Sequence, residues 1–224
     1  MNNFNLKAAI FDLDGTLLNT LEDLADSINY SLAKNGFQTH ELSKFPYFVG
    51  EGIVKLVSRT LPEEKRSDVT IKNILKDLQE HYGGNWANKT KPYDGIIELV
   101  EYLRNNKVKL AVLSNKPHDF AVIMTNFFFK KDDFELIYGE SKLHPTKPDP
   151  SLANTIANHF GIDKTSCVFI GDTNIDILTA KAAGMFSVGA GWGFRGKDEL
   201  IDFGADVVFN SPFELLEFFK KIKK

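Results

Sequence analysis

An α/β fold, a parallel sheet covered on both faces and interrupted by one helical insertion, is the architecture this sequence predicts. Three observations carry that reading. Short apolar runs recur at Ala8–Phe11, Lys109–Leu113, Phe134–Tyr138, Cys167–Ile170, Phe186–Val188 and Asp206–Phe209. Amphipathic stretches of helical length separate most of them, and strands that are continuously apolar and alternate with helices belong to a sheet buried on both faces. The alternation fails once, between the first run and the second, where about seventy residues read as helix only.

In chain order, "AAIF" forms the first strand and runs straight into Asp12 and Asp14. The insertion follows. "LEDLADSINYSLAKNG" is a helix stopped by Gly36, "GIVKLVSRTL" is a second after Gly50 and Gly52, and "EEKRSDVTIKNILKDLQEHYGG" is a third, entered through Pro62 and closed by Gly83-Gly84. The expected organisation is a core of residues 1–15 and 90–224 carrying a helical cap of residues 16–89. Beyond the cap, Ile96, Ile97, Leu99, Val100 and Leu103 form a stripe of period 3.6, as do Leu152, Ile156 and Phe160, and "IDILTAKAAG" ends in the C-cap glycine Gly184. The terminal "KKIKK" reads as a solvated helix end.

The chain has 224 residues, 43% hydrophobic and 25% charged, with a net charge of -3, so no excess of either sign directs it to nucleic acid or an anionic membrane. No run approaches the ~20 apolar residues of a membrane span, and "MNNFNLK" lacks the pattern of an export signal. The expected location is cytoplasmic. One cysteine, Cys167, sits inside "CVFI" as core, which excludes an internal disulfide and a thiolate-rich metal site.

The polar residues are concentrated beside strand ends. Alternation along an extended chain points Asp12 and Asp14 to one side, where two like charges require a proton or a cation between them. After the second run come Ser114, Asn115 and Lys116; after the fourth come Gly171-Asp172-Thr173-Asn174-Ile175-Asp176; Lys147 lies in the loop "HPTKPDP". In an open parallel sheet, ligands bind outside the carboxyl ends of the strands, so these clusters share one rim. Each has an ordinary reading alone: Asp-x-Asp-Gly is a turn signature, Ser114-Asn115 an N-cap, Asp176 a complement to a helix dipole. Their joint occurrence, in order and each at an element's end, favours a site. Carboxylates without histidine or cysteine partners suit a hard cation, Mg²⁺ and not Zn²⁺. A carboxylate beside such an ion, with a lysine and a hydroxyl at hand, can attack phosphorus while a second carboxylate manages the proton. Gly15, with no side chain, leaves room for backbone N–H groups to approach a phosphate.

"FDLDGTL", "LAVLSNKP", "TKPDP" and "VFIGDTNIDILTAKAAG" resemble, in order and spacing, the four motifs of the haloacid-dehalogenase superfamily of phosphatases. That resemblance implies a Rossmann-like core with an inserted helical cap, and Mg²⁺ as cofactor. It matches Asp12 to the nucleophile, Asp14 to the general acid/base whose backbone carbonyl also binds metal, and Asp172 to the remaining metal ligand. Ser114 and Lys147 match the groups that hold the phosphoryl oxygens, Asn115 a residue that positions nucleophile or substrate, and Asp176 an acid supporting the metal shell and Lys147. Gly15 and Thr16 are expected at the phosphate, and the cap loop Gly50-Glu51-Gly52 at the leaving group, where Glu51 is awkward for an acidic substrate.

Further segments, "LLNTLEDLADSINYSL", "FVGEGIVKLV" and "GWGFRG", look most like phosphoglycolate phosphatases. The implied activity is phosphomonoester hydrolysis through an aspartyl-phosphate, with 2-phosphoglycolate favoured and a monomer or weak homodimer expected. Pyrophosphatase, broad sugar-phosphate or nucleotide phosphatase, phosphoglucomutase-like phosphotransferase and a non-catalytic binding protein remain as alternatives. Arg195 in "GWGFRG" reads as a contact to substrate or cap or, more ordinarily, as an exposed arginine or a structural ion pair, and Trp192 and Phe194 as packing residues.

Overall fold

The computed structural model describes residues 5–222. Its central sheet contains β1 (Ala8–Phe11), β4 (Lys109–Pro117), β5 (Leu136–Glu140), β6 (Cys167–Gly171), β7 (Phe186–Ala190) and β8 (Val207–Phe209), all parallel, in the order β5-β4-β1-β6-β7-β8. β1 is central, so its side chains are buried on both faces. Ala9 and Phe11 join one core with α4 (Ile96–Asn105), α5 (His118–Phe128) and α9 (Pro212–Ile222); Ala8 and Ile10 join another with α6 (Ser151–Phe160) and α7 (Asn174–Ala183). The short α8 (Lys197–Asp202) precedes β8. This is the expected α/β sheet, with β1 between β4 and β6 delivering the stretches after all three strands to one edge.

The insertion is helical as expected. α1 (Leu21–Lys34), α2 (Ile53–Thr60) and α3 (Asp68–Asn85) surround their own core, in which Ile28, Leu32, Phe45, Val57, Ile74 and Leu78 are fully buried. Each such side chain contributes roughly 1.5–3 kcal/mol, which gives the cap a stability source of its own. A two-stranded antiparallel ribbon, β2 (Leu18–Asn19) with β3 (Lys91–Pro92), joins cap to sheet. The stem is clamped by Asp23 in the first turn of α1. Its carboxylate accepts from the Lys89 and Thr90 amides at 2.9 and 2.8 Å and from the Thr90 hydroxyl at 2.8 Å.

Several boundaries differ from the sequence expectation. α3 does not start at Pro62: residues 63–65 form a separate 3₁₀ turn, and Ser67 is the N-cap, its Oγ accepting from the Thr70 amide at 3.2 Å. Nor do Gly83 and Gly84 close it. The helix passes through both to Asn85, because neither glycine has the positive φ of a stop and the residues around them, Tyr82 and Trp86, anchor the helix to the protein. β4 runs through Pro117, so Ser114, Asn115 and Lys116 lie within an irregular end of the strand and not in the loop after it; the pairing with β5 resumes at Pro117 and Glu140 past a register shift. Of the basic C-terminus, Lys223 and Lys224 lie outside the described residues. No helix among the described residues is long and apolar enough to cross a membrane.

Candidate active site

Asp12 follows β1 directly and is 7% exposed. Its Oδ1 lies 2.8 Å from Lys147 Nζ, at ion-pair distance but without hydrogen-bond alignment. Lys147, also buried, donates to Asp176 Oδ1 at 2.6 Å. Asp176 is held from the other side by Thr173, whose amide and hydroxyl donate to Oδ2 at 3.1 and 2.8 Å in a capping box that opens α7. Asp176 thus stands in the first turn of α7 and against Lys147 at once.

Asp172, at the end of β6, is fully buried and accepts from the Thr16 hydroxyl at 3.3 Å and the Phe194 amide at 2.8 Å. Two glycines make its place. A Cβ on Gly15, which has φ of +84°, would fall 2.2 Å from Asp172 Oδ2, and one on Gly193 would fall 2.2 Å from Asp172 Cβ. Side-chain oxygens of Asp12, Asp172 and Asp176 all lie within 4.8 Å of one another. Burial raises the Asp12 pKa to about 6, Lys147 opposing the shift and Asp176 adding to it. Burial, then the charges of Asp176 and Asp12, raise that of Asp172 well above the ordinary carboxylate range. One lysine among three buried carboxylates leaves uncompensated negative charge. Together with an Asp12 oxygen lacking an aligned donor and an all-oxygen donor set, this fits a hard divalent cation.

The side chain of Asp14 faces away from that trio. Oδ1 accepts from the Thr20 hydroxyl at 2.7 Å, and Lys116 Nζ lies 3.1 and 3.2 Å from the two oxygens. Lys116 also donates to the hydroxyl of Tyr82 on α3 at 3.0 Å. Burial works against the charge of Lys116, but Asp14 and Tyr82 more than offset it and raise its pKa. Asp12, Asp14, Ser114, Asn115 and Lys116 line one cleft whose far wall is the cap: Gly50, Gly52, Ile53, Leu56, Leu78 and Tyr82. Ser114 Oγ accepts the Lys116 amide at 3.3 Å, which leaves its proton free to donate into the cleft.

Other expected site residues are placed differently. The Gly15 and Thr16 amides donate to Leu18 O at 2.8 Å and Leu13 O at 3.4 Å, closing the turn after Asp14, so neither is aimed at a ligand. Thr16 is a buried support of Asp172 and not a cleft residue. Asn115 Oδ1 accepts the Lys147 amide at 2.8 Å, and its Nδ2 donates to Lys147 O at 3.0 Å and Gly50 O at 3.1 Å. It ties the lysine loop to the cap. Glu51 does not line the cleft: its carboxylate pairs with Arg59 and with Lys55, the latter at 2.6 Å, on the outer side of α2. Its awkwardness for an acidic substrate disappears with that orientation. Arg195 forms the structural ion pair, 3.3 Å from Glu199, and also donates to Val49 O of the cap at 3.3 Å. Trp192 packs on the core with its indole N–H on Thr16 O at 3.0 Å, whereas Phe194, read as packing alone, lines the cleft.

Sequence reasoning passed over Tyr82, Lys116 and Thr20. Lys116 stood in view between Asn115 and Pro117. Tyr82 continues the Ile74, Leu78 stripe and reads as core; only the tertiary structure brings its hydroxyl to Lys116.

The family model of haloacid dehalogenase-like hydrolases matches residues 9–190. A curated relative from Haemophilus influenzae (strain 86-028NP), named phosphoglycolate phosphatase, is 30% identical over 96% of this chain and 98% of its own length. One of the same name from Mesorhizobium japonicum is 33% identical over 83% of this chain and 82% of its own. Among solved structures, a Haemophilus somnus 129pt protein described as a predicted phosphoglycolate phosphatase superposes with a TM-score of 0.90 at 27% identity, covering 96% of this chain and 98% of that one.

Proposed function

The chain belongs to the haloacid dehalogenase-like hydrolases, and on that footing we propose that it is a Mg²⁺-dependent phosphatase of small phosphomonoesters, with 2-phosphoglycolate as its favoured substrate. The observation that carries this reading is the division of labour between Asp12, buried against Lys147 and two further carboxylates, and Asp14, held apart by Thr20 and Lys116 at the wall of the same cleft. One carboxylate faces the place for a phosphoryl group and the other the place for the departing alcohol.

Asp12 and Asp172, with the backbone carbonyl of Asp14, would hold Mg²⁺ and Asp176 would support them; bound there, the ion offsets the charge of the acidic cluster and of the phosphoryl oxygens. Lys147 and the Ser114 hydroxyl bind those oxygens and stabilise the charge that gathers on them in the transition state. An Asp12 oxygen attacks phosphorus as the bond from phosphorus to the ester oxygen breaks, and Asp14 gives its proton to that oxygen. Water then attacks the aspartyl-phosphate, passes a proton to Asp14, and inorganic phosphate leaves with Asp12 regenerated. The cap wall excludes bulk water while the alcohol departs.

The relatives' name supports 2-phosphoglycolate, and a Glu51 turned away from the cleft removes the one charge that opposed it. The test is kcat/KM for 2-phosphoglycolate beside sugar phosphates, nucleoside monophosphates and pyrophosphate, in Mg²⁺ and in chelator. A preference of orders of magnitude, lost in chelator, is expected. Uniform rates across the panel would leave a broad phosphatase, and turnover unaffected by chelator would remove the metal.

A further inference from the structure

Asp14 is oriented by one group at the start of the cap and by one core lysine that the cap anchors. A carboxylate on two rotatable bonds is fixed only by partners from more than one direction, and Asp14 has two. Thr20, on Oδ1 at 2.7 Å, is the residue at which α1 of the cap begins. Lys116, across both oxygens, is a long side chain with a flexible four-carbon stem that needs an anchor of its own. That anchor is Tyr82, carried on α3 of the cap, whose hydroxyl takes a Lys116 N–H at 3.0 Å and whose ring lies 4.9 Å from the ammonium. Tyr82 is itself fixed, its ring packed 5.2 Å from that of Phe120 and its hydroxyl 3.8 Å from Met124 Sδ. The three side chains that form this chain of contacts, Thr20, Lys116 and Tyr82, are 0%, 7% and 3% exposed, so no bulk water substitutes for a missing partner.

We propose that Tyr82 is a positioning residue which, through Lys116, aims Asp14 at the leaving-group oxygen, so that proton delivery to the departing alcohol requires the cap to be seated on the core. The inference rests on Asp14 acting as the general acid. Misplacing a catalytic group by ~1 Å costs about a hundredfold in rate, so loss of one hydroxyl at the end of the chain has a measurable effect.

The experiment separates alcohols that need a proton from those that do not. kcat/KM reports every step through departure of the leaving group, and nitrophenolate departs unaided whereas an alkoxide does not. kcat/KM is measured for 2-phosphoglycolate, or the best alkyl phosphate of the panel, and for p-nitrophenyl phosphate, in wild type, Tyr82→Phe, Lys116→Met and Asp14→Asn. Tyr82→Phe keeps the packed ring, and thermal melts verify that each variant is folded. The expected losses on the alkyl ester are about tenfold for Tyr82→Phe and about a hundredfold for Lys116→Met, against less than about threefold on the aryl ester. Equal losses on both esters in Tyr82→Phe, or none, overturn the inference while an Asp14→Asn loss confined to the alkyl ester keeps the acid role. If Asp14→Asn itself loses both esters equally, the acid assignment falls and the inference with it.

Discussion

The carboxamide of Asn115 is bonded at once to the backbone of Lys147, through N–H and C=O, and to the carbonyl of Gly50 in the cap loop. A single side chain thus ties the loop of the lysine that faces Asp12 to the cap loop that walls the cleft. Asn115→Ala is expected to lower kcat on 2-phosphoglycolate by about a hundredfold, with KM also rising, because Lys147 loses the bonds that fix its loop. Asn115→Asp keeps the acceptor for the Lys147 amide but loses both donated bonds, so it restores little. Steady-state kinetics on the two variants checks this; wild-type rates in Asn115→Ala would show that the clamp is dispensable.

The acidic cluster makes the metal-free protein pH-sensitive in a defined direction. With Asp12 raised to about 6 and Asp172 raised well above its ordinary range, the folded chain holds more protons than the unfolded one above pH ~4. The contribution of Asp12 to stability therefore falls as pH rises through about 4 to 6, and that of Asp172 falls in the same direction as pH rises from about 4. Asp172→Asn is expected to melt higher than wild type at pH 7.5 in chelator, by roughly 2–4 °C per kcal/mol recovered, with the gap shrinking at pH 4.5. Mg²⁺ should raise the wild-type melting temperature at pH 7.5 and barely move the variant. Thermal melts at both pH values, with and without the ion, provide the check.

Glu51 supplies a control for substrate recognition. Because its carboxylate pairs with Arg59 and Lys55 outside the cleft, Glu51→Gln should change KM for an acidic phosphoester less than about threefold. A tenfold fall in KM would instead place the carboxylate at the substrate.

Asp23 is the stability hinge of the cap stem. Buried, and accepting from two amides and a hydroxyl of the returning chain, it should cost about 3 kcal/mol when changed to alanine. Its neighbour Asp26, exposed and paired at the surface with the exposed Lys89, should be silent in the same denaturant titration.

Much of this was readable before the structure. The strand Ala8–Phe11 is legible because a central parallel strand is apolar on both faces, and the cluster of Asp12, Lys147, Asp172 and Asp176 because Asp12 and Asp172 follow strands, Asp176 opens a helix and Lys147 lies in the loop that leads to one. The cap is legible as helix from its stripes. Its third helix began late because Ser67, and not Pro62, offers the acceptor for a free amide, a choice that depends on where the preceding 3₁₀ turn leaves the chain. What spacing cannot convey is direction across the cap boundary. Glu51 turns outward because Arg59 lies one side of α2 with it, Tyr82 turns inward because its ring fills the cap core, and neither fact is local in sequence.

If Asp12 carries the phosphoryl group, the phosphoryl group of the substrate passes through the protein on its way to water. Rapid acid quench after mixing with 2-phosphoglycolate bearing a radiolabelled phosphoryl group tests it most directly. The expected result is transient label on the protein, approaching one group per chain, released by hydroxylamine and absent from Asp12→Asn, which should fold normally and turn over at least about ten-thousand-fold slower, on the order of the loss of a covalent nucleophile. Phosphate release at full rate with no label on the protein, or with label persisting in Asp12→Asn, would contradict it.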